Sequence, residues 1–577
     1  MTTNKYPGNC HRCGVRVPVA AGIALKIDGK WKVAHDGECS TTGPTAVQPA
    51  RATIDIIPTP EQAECVRLFA TGEDLVIQAG AGTGKTATLL LIAQYAKEHG
   101  KHGQYVAYNK SIVDDVATKV PGNVNASTMH SLAYRALGHQ YRSRLNGPRI
   151  KADETASILG IDPWSFSVEL PNTGGKREGR TLAAGFLAGK VMGAVRAFCA
   201  TAEREVTVRH FAPVDGLDMP DAAGNKTYVN NDALAAYLFP FARKAWEDLI
   251  TVTGRLRFSH DIYLKLWQLS GPTIEADFIL LDEGQDADPV QVAIVEFQKV
   301  HDTQIVVVGD TYQVLYEWRG AVNALADFEE MGANVAQLTQ SFRFGDSIAA
   351  IANNLLGRLN APLRLRGYGP VSSTVGPIAE PSAILCRTNA GAVTVVLDAL
   401  RMRRRPHLVG GGTEVVAFCK AAIELQTGRR TQYPELACFA NWAEVQFYVG
   451  NDEQGDDLRL MVKLIDDFGA GVILDALERQ PAEDQADVVV STTHKSKGRQ
   501  WPRVQVHSDF MPPRENEDDL VPAELRLAYV ASTRAQFELD LTNVPHFVNP
   551  SHRPVMVRDA ANLIATEMKL KALDEAY

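Results

Sequence analysis

No apolar run in the 577-residue chain approaches the roughly 18 residues of a membrane-spanning helix. Met1 to Cys10 also lacks the apolar stretch of a secretion signal. No membrane partner is expected, and the default is a soluble cytoplasmic protein. Cysteine is scarce. Of eight residues, only those at the N-terminus cluster, which excludes a secreted disulfide scaffold and points to a reducing compartment with one metal site. A basic excess is missing too: 59 Lys and Arg stand against 68 Asp and Glu, a net charge of −9. The surface as a whole therefore does not attract nucleic acid. A protein tracking a single strand needs only a local positive groove, so that class survives. No internal repeat is present, which excludes a solenoid. Hydrophobic (45%) and charged (22%) contents are those of a globular protein and exclude a disordered or fibrous chain.

At roughly 150 residues per domain the length allows about four domains. Residues 1–50 read as a separate unit ending in a turn-rich linker, Thr41 to Ala52. Beyond it come short β-branched runs: Leu75–Ala79, Tyr105–Tyr108, Phe278–Asp282 and Ile305–Gly309. Continuous runs of this kind are strands buried on both faces. With helical stretches such as Thr86 to Glu98 between them, they predict a parallel α/β core. A second set predicts another: Ala336–Thr339, Ala383–Cys386, Val488–Thr492, Val504–Val506 and Glu538–Leu541. Residues 137–255 and 412–487 read as mainly helical insertions. The charge runs Lys176–Arg180 and Arg401–Arg405 read as solvated loops or helix ends.

Ala79-Gly80-Ala81-Gly82-Thr83-Gly84-Lys85-Thr86 follows a strand and opens a helix, the context of a P-loop. Its glycines let backbone amides face an anion at a helix N-terminus. Lys85 then reaches the outer phosphates and the Thr86 hydroxyl takes a Mg²⁺ position. The companion is Phe278-Ile-Leu-Leu-Asp282-Glu283, an apolar strand ending in two acids. Asp282 is placed to hold Mg²⁺ through water, and Glu283 to deprotonate an attacking water. Hydrolysis, not binding alone, is expected.

From about Pro58 to about Val544 the order of further blocks resembles the UvrD/Rep-like superfamily 1 DNA helicases, nearest the branch of the F-box DNA helicases but without an F-box. The resemblance implies an α/β fold of two RecA-like P-loop domains: core 1 from 51–136 and 256–330, core 2 from 331–411 and 488–550. Between them lie insertions 137–255 and 412–487, the second reduced, and a tail, 551–577, ends the chain. No fused nuclease is expected after Asn543. The resemblance further implies that Gln62, in Thr59-Pro-Glu-Gln62, pairs with the adenine edge. Tyr108, Asn109, Thr128 and His130 line the strand path in core 1. Gln285 and Asp286 couple hydrolysis to neighbouring motifs, and Gln313 senses the γ-phosphate. Tyr316 and Trp318, beside Arg319, present rings to bases. Phe342 covers adenine, while Arg343 and Arg534 reach the γ-phosphate from core 2. Thr493 and His494 contact the strand from a block that runs to Trp501, within which Gln500 faces the nucleotide where relatives carry a glutamate on the ribose. The departures, Gln500 and Ala87, place more of the adenine selectivity on Gln62 and Phe342.

The resemblance thus implies an ATP- and Mg²⁺-dependent DNA helicase or translocase moving 3′ to 5′, with single-stranded DNA and single/double-strand junctions as partners. RNA stays open as an alternative strand. A monomer is expected, and the compact plan suits a bacterium or a phage-infected cell. Rival readings are a translocase that strips proteins from strands without robust unwinding, and a nucleotide-dependent DNA-binding switch. Cys10-His-Arg-Cys13 and His35-Asp-Gly-Glu-Cys39 supply two close ligand pairs, as in a zinc ribbon. Cys10, Cys13, His35 and Cys39 can close a tetrahedron around a structural Zn²⁺, with His11 an alternative to His35.

Overall fold

The apolar runs pack as strands of two parallel sheets. The computed structural model describes residues 2–3, 8–10, 16–17, 22–27, 30–35, 56–107, 109–148, 150–169, 177–218, 228–314, 323–451, 456–513 and 519–550. The chain forms two units, Met1–Asp55 and Ile56–Tyr577.

In the large unit, the first sheet holds β1 (Leu75–Ala79), β2 (Gly103–Ala107), β3 (Val124–Thr128), β4 (Phe278–Asp282), β5 (Gln304–Gly309) and β6 (Asn334–Leu338). Its order is β6-β1-β5-β4-β2-β3, with every pair parallel. Each residue of β4 and β5 is buried, as expected of central strands covered by helices on both faces. Fully burying one Val, Leu or Ile is worth about 1.5–3 kcal/mol, so these two strands anchor the domain. Their order also brings three loops together: β5 lies between β1, which ends in the P-loop, and β4, which ends in the acid pair.

The second sheet holds β7 (Thr374–Val375), β8 (Ala383–Cys386), β9 (Pro406–Leu408), β10 (Val488–Thr492), β11 (Trp501–Val506) and β12 (Ala535–Asp540), in the order β7-β12-β11-β8-β10-β9. It too is parallel throughout. The mixed architecture with two parallel sheets is that of two RecA-like domains. One boundary is corrected. The sequence pattern assigns Ala336–Thr339 to the second core, yet β6 pairs in parallel with β1, Ala336 opposite Ile77. A β-branched run followed by polar residues looks the same at either sheet's edge, and pairing partner is not a local property.

The first insertion is helical, with Ala152–Leu159, Ala184–Cys199 and Val229–Ile250, and also contains an antiparallel hairpin, Trp164–Glu169 with Arg177–Leu182. Its apolar side is continuous with that of the first sheet. Among the described residues the second insertion supplies α-helices Thr413–Gln426, Trp442–Asn451, Asp456–Phe468 and Ala470–Glu478, whose core merges with one face of the second sheet through Cys386 and Val490.

The N-terminal unit contains a hairpin, Gly22–Ile27 with Lys30–His35, joined by Thr2–Thr3. Cys10 is buried and bridges to Val33. Cys13 and Cys39 lie outside the described residues, as does the side chain of His35.

Candidate nucleotide site and strand path

The P-loop leaves β1 at Ala79. Gly82 and Gly84 both take left-handed backbone (φ +75° and +83°), which glycine adopts without strain. The Thr83 hydroxyl donates to the Gly80 carbonyl at 2.9 Å and closes the loop. Helix α2 (Lys85–Glu98) begins directly after it, so amides and helix terminus face the same point.

Lys85 Nζ lies 3.2 Å from Glu283 Oε1. Burial alone would lower the lysine's pKa, but Glu283, Asp310 and Asp282 around it outweigh that and hold it above its ordinary value. The two adjacent acids are driven apart. Burial, with the charge of Glu283 beside it, raises Asp282. Burial also acts to raise Glu283, but Lys85 and Lys497 overcome it and hold the side chain ionised. Such a split is what a water-activating base next to a metal ligand needs. Glu283 itself adopts φ +55°, a strained conformation for a side chain with a Cβ. The Tyr105 hydroxyl donates to Asp282 Oδ2 at 2.5 Å and also touches the Thr86 side chain. The two oxygen groups expected to hold Mg²⁺ are thus neighbours, and a hard cation with oxygen ligands fits them.

Helix α1 (Pro60–Phe69) carries Gln62 beside the P-loop. Thr59 caps it in a reciprocal box: the Gln62 amide N–H donates to Thr59 Oγ1 at 3.2 Å, and the Thr59 N–H donates to Gln62 Oε1 at 3.0 Å. Capping consumes the oxygen of the Gln62 side chain and leaves its Nε2 to face the loop. A Cβ on Gly84 would sit 3.2 Å from that nitrogen and 3.5 Å from the Phe342 ring. Gln62 and Phe342 therefore flank one point of the P-loop, and Tyr368 stands edge-on to Phe342 at 5.4 Å.

The second core closes on this loop. Ser341 Oγ donates to the Ala81 carbonyl at 2.9 Å, and the Phe342 N–H donates to the Gly82 carbonyl at 2.8 Å. Arg343 donates to the Thr533 carbonyl at 2.9 Å. Arg534, at the end of helix α3 (Pro522–Ser532), is 1% exposed and donates to Gln313 Oε1 at 3.0 Å. Burial, followed by the charge of Arg343, pulls Arg534 down to about 9, so it remains charged at neutral pH. Among the described residues neither arginine has a carboxylate ion-pair partner, and Arg343 Nε is buried without a hydrogen bond. Half-buried Arg343 and fully buried Arg534, neither in a carboxylate ion pair among the described residues and both opposite a P-loop, are matched to a phosphate. Lys497 crosses the same cleft, donating to Asp286 and, at 2.7 Å, to the Gln313 carbonyl.

These features agree with what known proteins show. Residues 62–319 match the model of an AAA domain and residues 433–544 that of a UvrD-like helicase C-terminal domain. The F-box DNA helicase protein 1 of Schizosaccharomyces pombe is 30% identical over 517 residues, covering 82% of this chain and 56% of that protein. The F-box DNA helicase 1 of Gallus gallus is 28% identical over 512 residues, 81% of this chain and 47% of that protein. The DNA helicase II of Escherichia coli is 33% identical over 116 residues, 19% of this chain and 15% of that protein. The chain belongs to the UvrD/Rep-like superfamily 1 helicases. It spans about half the length of the F-box relatives it matches.

In this UvrD-like chain the expected strand contacts divide. Asn109 and Thr128 cap the helices that begin after them, their oxygens accepting from the amides of Ile112 (3.0 Å) and Ser131 (3.1 Å). The Asn109 amide N–H₂ is not used in that cap. Both lie at the C-terminal edge of the first sheet, the edge from which parallel α/β domains bind ligands. His130 is half-buried and 3.2 Å from Asp261. Tyr108, Tyr316, Trp318 and Arg319 lie outside the described residues. Thr493 is fully buried and its hydroxyl donates to the Cys386 carbonyl at 3.3 Å. It therefore supports the β10 loop here, whereas His494 next to it is partly exposed. Gln500 is exposed just before β11. Arg343 and Phe342 sit on the crossover from β6, not within the second sheet. Sequence reasoning alone misses Tyr105, Asp310, Lys497 and Tyr529, because each acts through a partner more than 170 positions away. Beyond the cleft, Asp509 binds the Arg387 and Thr388 amides and lies 3.1 Å from His507. These bonds account for a Cys386, His507 and Asp509 cluster as the closure of the turn after β8.

Proposed function

We propose that the chain is an ATP-driven DNA helicase or single-strand translocase that moves 3′ to 5′, with Mg-ATP between its two cores and single-stranded DNA or a single/double-strand junction as its track. The observation that carries this is the pair Arg343, half-buried, and Arg534, fully buried, which among the described residues have no carboxylate ion-pair partner and stand opposite Lys85 and Glu283. A γ-phosphate satisfies them and its loss leaves them unpaired, so each turnover makes and breaks the attraction between cores. Mg²⁺, held by Thr86 and Asp282, would supply charge neutralisation on the phosphates. Glu283, ionised between Lys85 and Lys497, takes the proton of the attacking water, and Gln285, donating to it at 2.5 Å, fixes its direction.

The test is ATP hydrolysis with and without single-stranded DNA. Stimulation by DNA that Lys85→Ala and Glu283→Gln both abolish is the expected result, and equal turnover with and without DNA would overturn the motor. Tailed duplexes of each polarity then read direction. A second reading, displacement of bound proteins without robust unwinding, is favoured by the attachment of the second insertion to the first through Arg180 and Glu444, 2.7 Å apart. Strand release from a tailed duplex decides it. For the N-terminal unit, the spacing of Cys10, Cys13, His35 and Cys39 supports a structural zinc, with Cys10 bridged to Val33 two residues before His35. Metal content of the purified chain tests that.

A further inference from the structure

Tyr529 belongs to the second core, yet its hydroxyl is buried within the first. It accepts from the Ala81 amide of the P-loop at 3.1 Å and donates to Asp310 Oδ2 at 2.9 Å. Because an ionised carboxylate can only accept, the single hydroxyl proton goes to Asp310 and the oxygen is left for Ala81. The same Asp310 oxygen receives Gln313 Nε2 at 2.7 Å, and Gln313 in turn accepts from Arg534. The Asp310 N–H donates to Gln285 Oε1 at 3.1 Å, and Gln285 donates to Glu283. One unbroken chain therefore runs from the P-loop, through a side chain of the opposite core, to the base. Ala81, Tyr529 and Asp310 are each at most 1% exposed, so water does not substitute for a missing link. The Tyr529 ring packs in the second apolar core and moves with it.

We propose that Tyr529 is a positioning residue whose hydroxyl transmits closure of the cleft to Glu283 through Asp310 and Gln285. When the cores part, Ala81 and Asp310 lose one shared partner, Gln285 is no longer held by a fixed Asp310, and the base loses its orientation. Hydrolysis is thereby confined to the closed state. This link rests on the motor reading of the cleft.

The experiment is steady-state ATP hydrolysis by the full chain at saturating single-stranded DNA, comparing wild type, Tyr529→Phe, Gln285→Ala and the double variant. Tyr529→Phe keeps the ring and is expected to lower kcat at least about tenfold, the scale of one buried hydrogen bond to a charged group. Its KM for ATP should stay within about twofold, since no transition-state-independent contact is lost. The double variant should be no slower than Gln285→Ala alone, because both cut one route. A raised KM with unchanged kcat, or slowdowns that multiply in the double variant, would overturn the link. Should Tyr529→Phe not fold, Asp310→Asn alters the same bond from the other side, with the same two outcomes. Wild type unstimulated by DNA would instead sink the motor reading itself, and that control is read before any variant.

Discussion

The two halves of this protein meet at two interfaces built on opposite principles. At the nucleotide cleft, half-buried Arg343 and fully buried Arg534 lack a carboxylate ion-pair partner among the described residues, and Arg534 is shifted down to about 9 by burial and by its neighbour. At the seam between the insertions, Arg180 is equally buried, but Glu444 lies 2.7 Å away and the Cys438 carbonyl 3.2 Å away. Tyr448 there donates to Asp215 at 3.0 Å, and Cys438 belongs to the apolar cluster of the first insertion. A buried charge without a partner is costly and waits for a ligand; a buried charge with one holds a geometry. The cleft is therefore built to change its contacts and the seam to keep them.

The largest effect that would break this contrast is expected at Arg534. Arg534→Met should lower kcat by about 10³ or more, the usual worth of an arginine at the γ-phosphate. Its unfolding free energy should nevertheless stay within about 1 kcal/mol of wild type, because relief of an unpaired buried charge offsets the lost hydrogen bonds. Urea unfolding alongside the ATPase rate checks both halves. A large loss of stability would mean that the cleft is a permanent joint like the seam.

The reciprocal result is expected at Arg180. Arg180→Ala leaves Glu444 half-buried with the Ala440 N–H as a remaining partner, and should cost at most about 3–5 kcal/mol in urea unfolding, the range for removing one member of a buried pair. Hydrolysis at saturating single-stranded DNA should survive in the folded fraction, since Arg180 and Glu444 lie on the insertions whereas Lys85 and Glu283 follow strands of the first sheet. If the same variant leaves stability unchanged while duplex unwinding rises, the seam restrains the motor and does not merely join the insertions.

Legibility in the sequence divides along the same line. The P-loop, Asp282 and Glu283, and Gln62 beside the P-loop lie in short segments whose local chemistry is demanding: left-handed glycines, an apolar strand that must end in acids, a capping box. The strand Phe278–Asp282 has the same boundaries in the sequence pattern and in the fold. The seam is not legible. The run Lys176–Arg180 reads as solvated, and Arg177 and Glu178 are indeed exposed, but Arg180 turns inward as the hairpin alternates faces and meets a residue 264 positions away. Asp310 and Tyr529 escape notice for the same reason, being 219 positions apart. Membership of Asn334–Leu338 in the first sheet is likewise hidden, because a strand's residues specify that it is buried and not what it pairs with. By contrast, Arg401 and Arg405 pair with Asp398 and Asp487 at the surface, the solvated outcome expected of most charge runs.

The smallest and most discriminating effect is expected from two glycines, one at each interface. Both are left-handed, Gly82 at φ +75° and Gly216 at φ +73°, so an alanine at either costs about 1–2 kcal/mol in backbone strain alone. Their neighbours separate them. A Cβ on Gly82 would lie 2.7 Å from Arg343 Cβ and 2.8 Å from Ser341 Oγ, both across the cleft, whereas on Gly216 it would lie 2.7 Å from the Phe439 ring across the seam. If the cleft opens and the seam does not, Gly82→Ala escapes its clash by parting the cores. It should then show only the backbone cost in unfolding while losing the closed state and with it most DNA-stimulated hydrolysis. Gly216→Ala has no such escape. It should lose more stability than Gly82→Ala, by the further cost of displacing a packed ring, about 1–3 kcal/mol, and keep its turnover per folded molecule. Equal losses of stability at the two positions would show that the cleft is as rigid as the seam, and the motor would then need its movement from somewhere else in the chain.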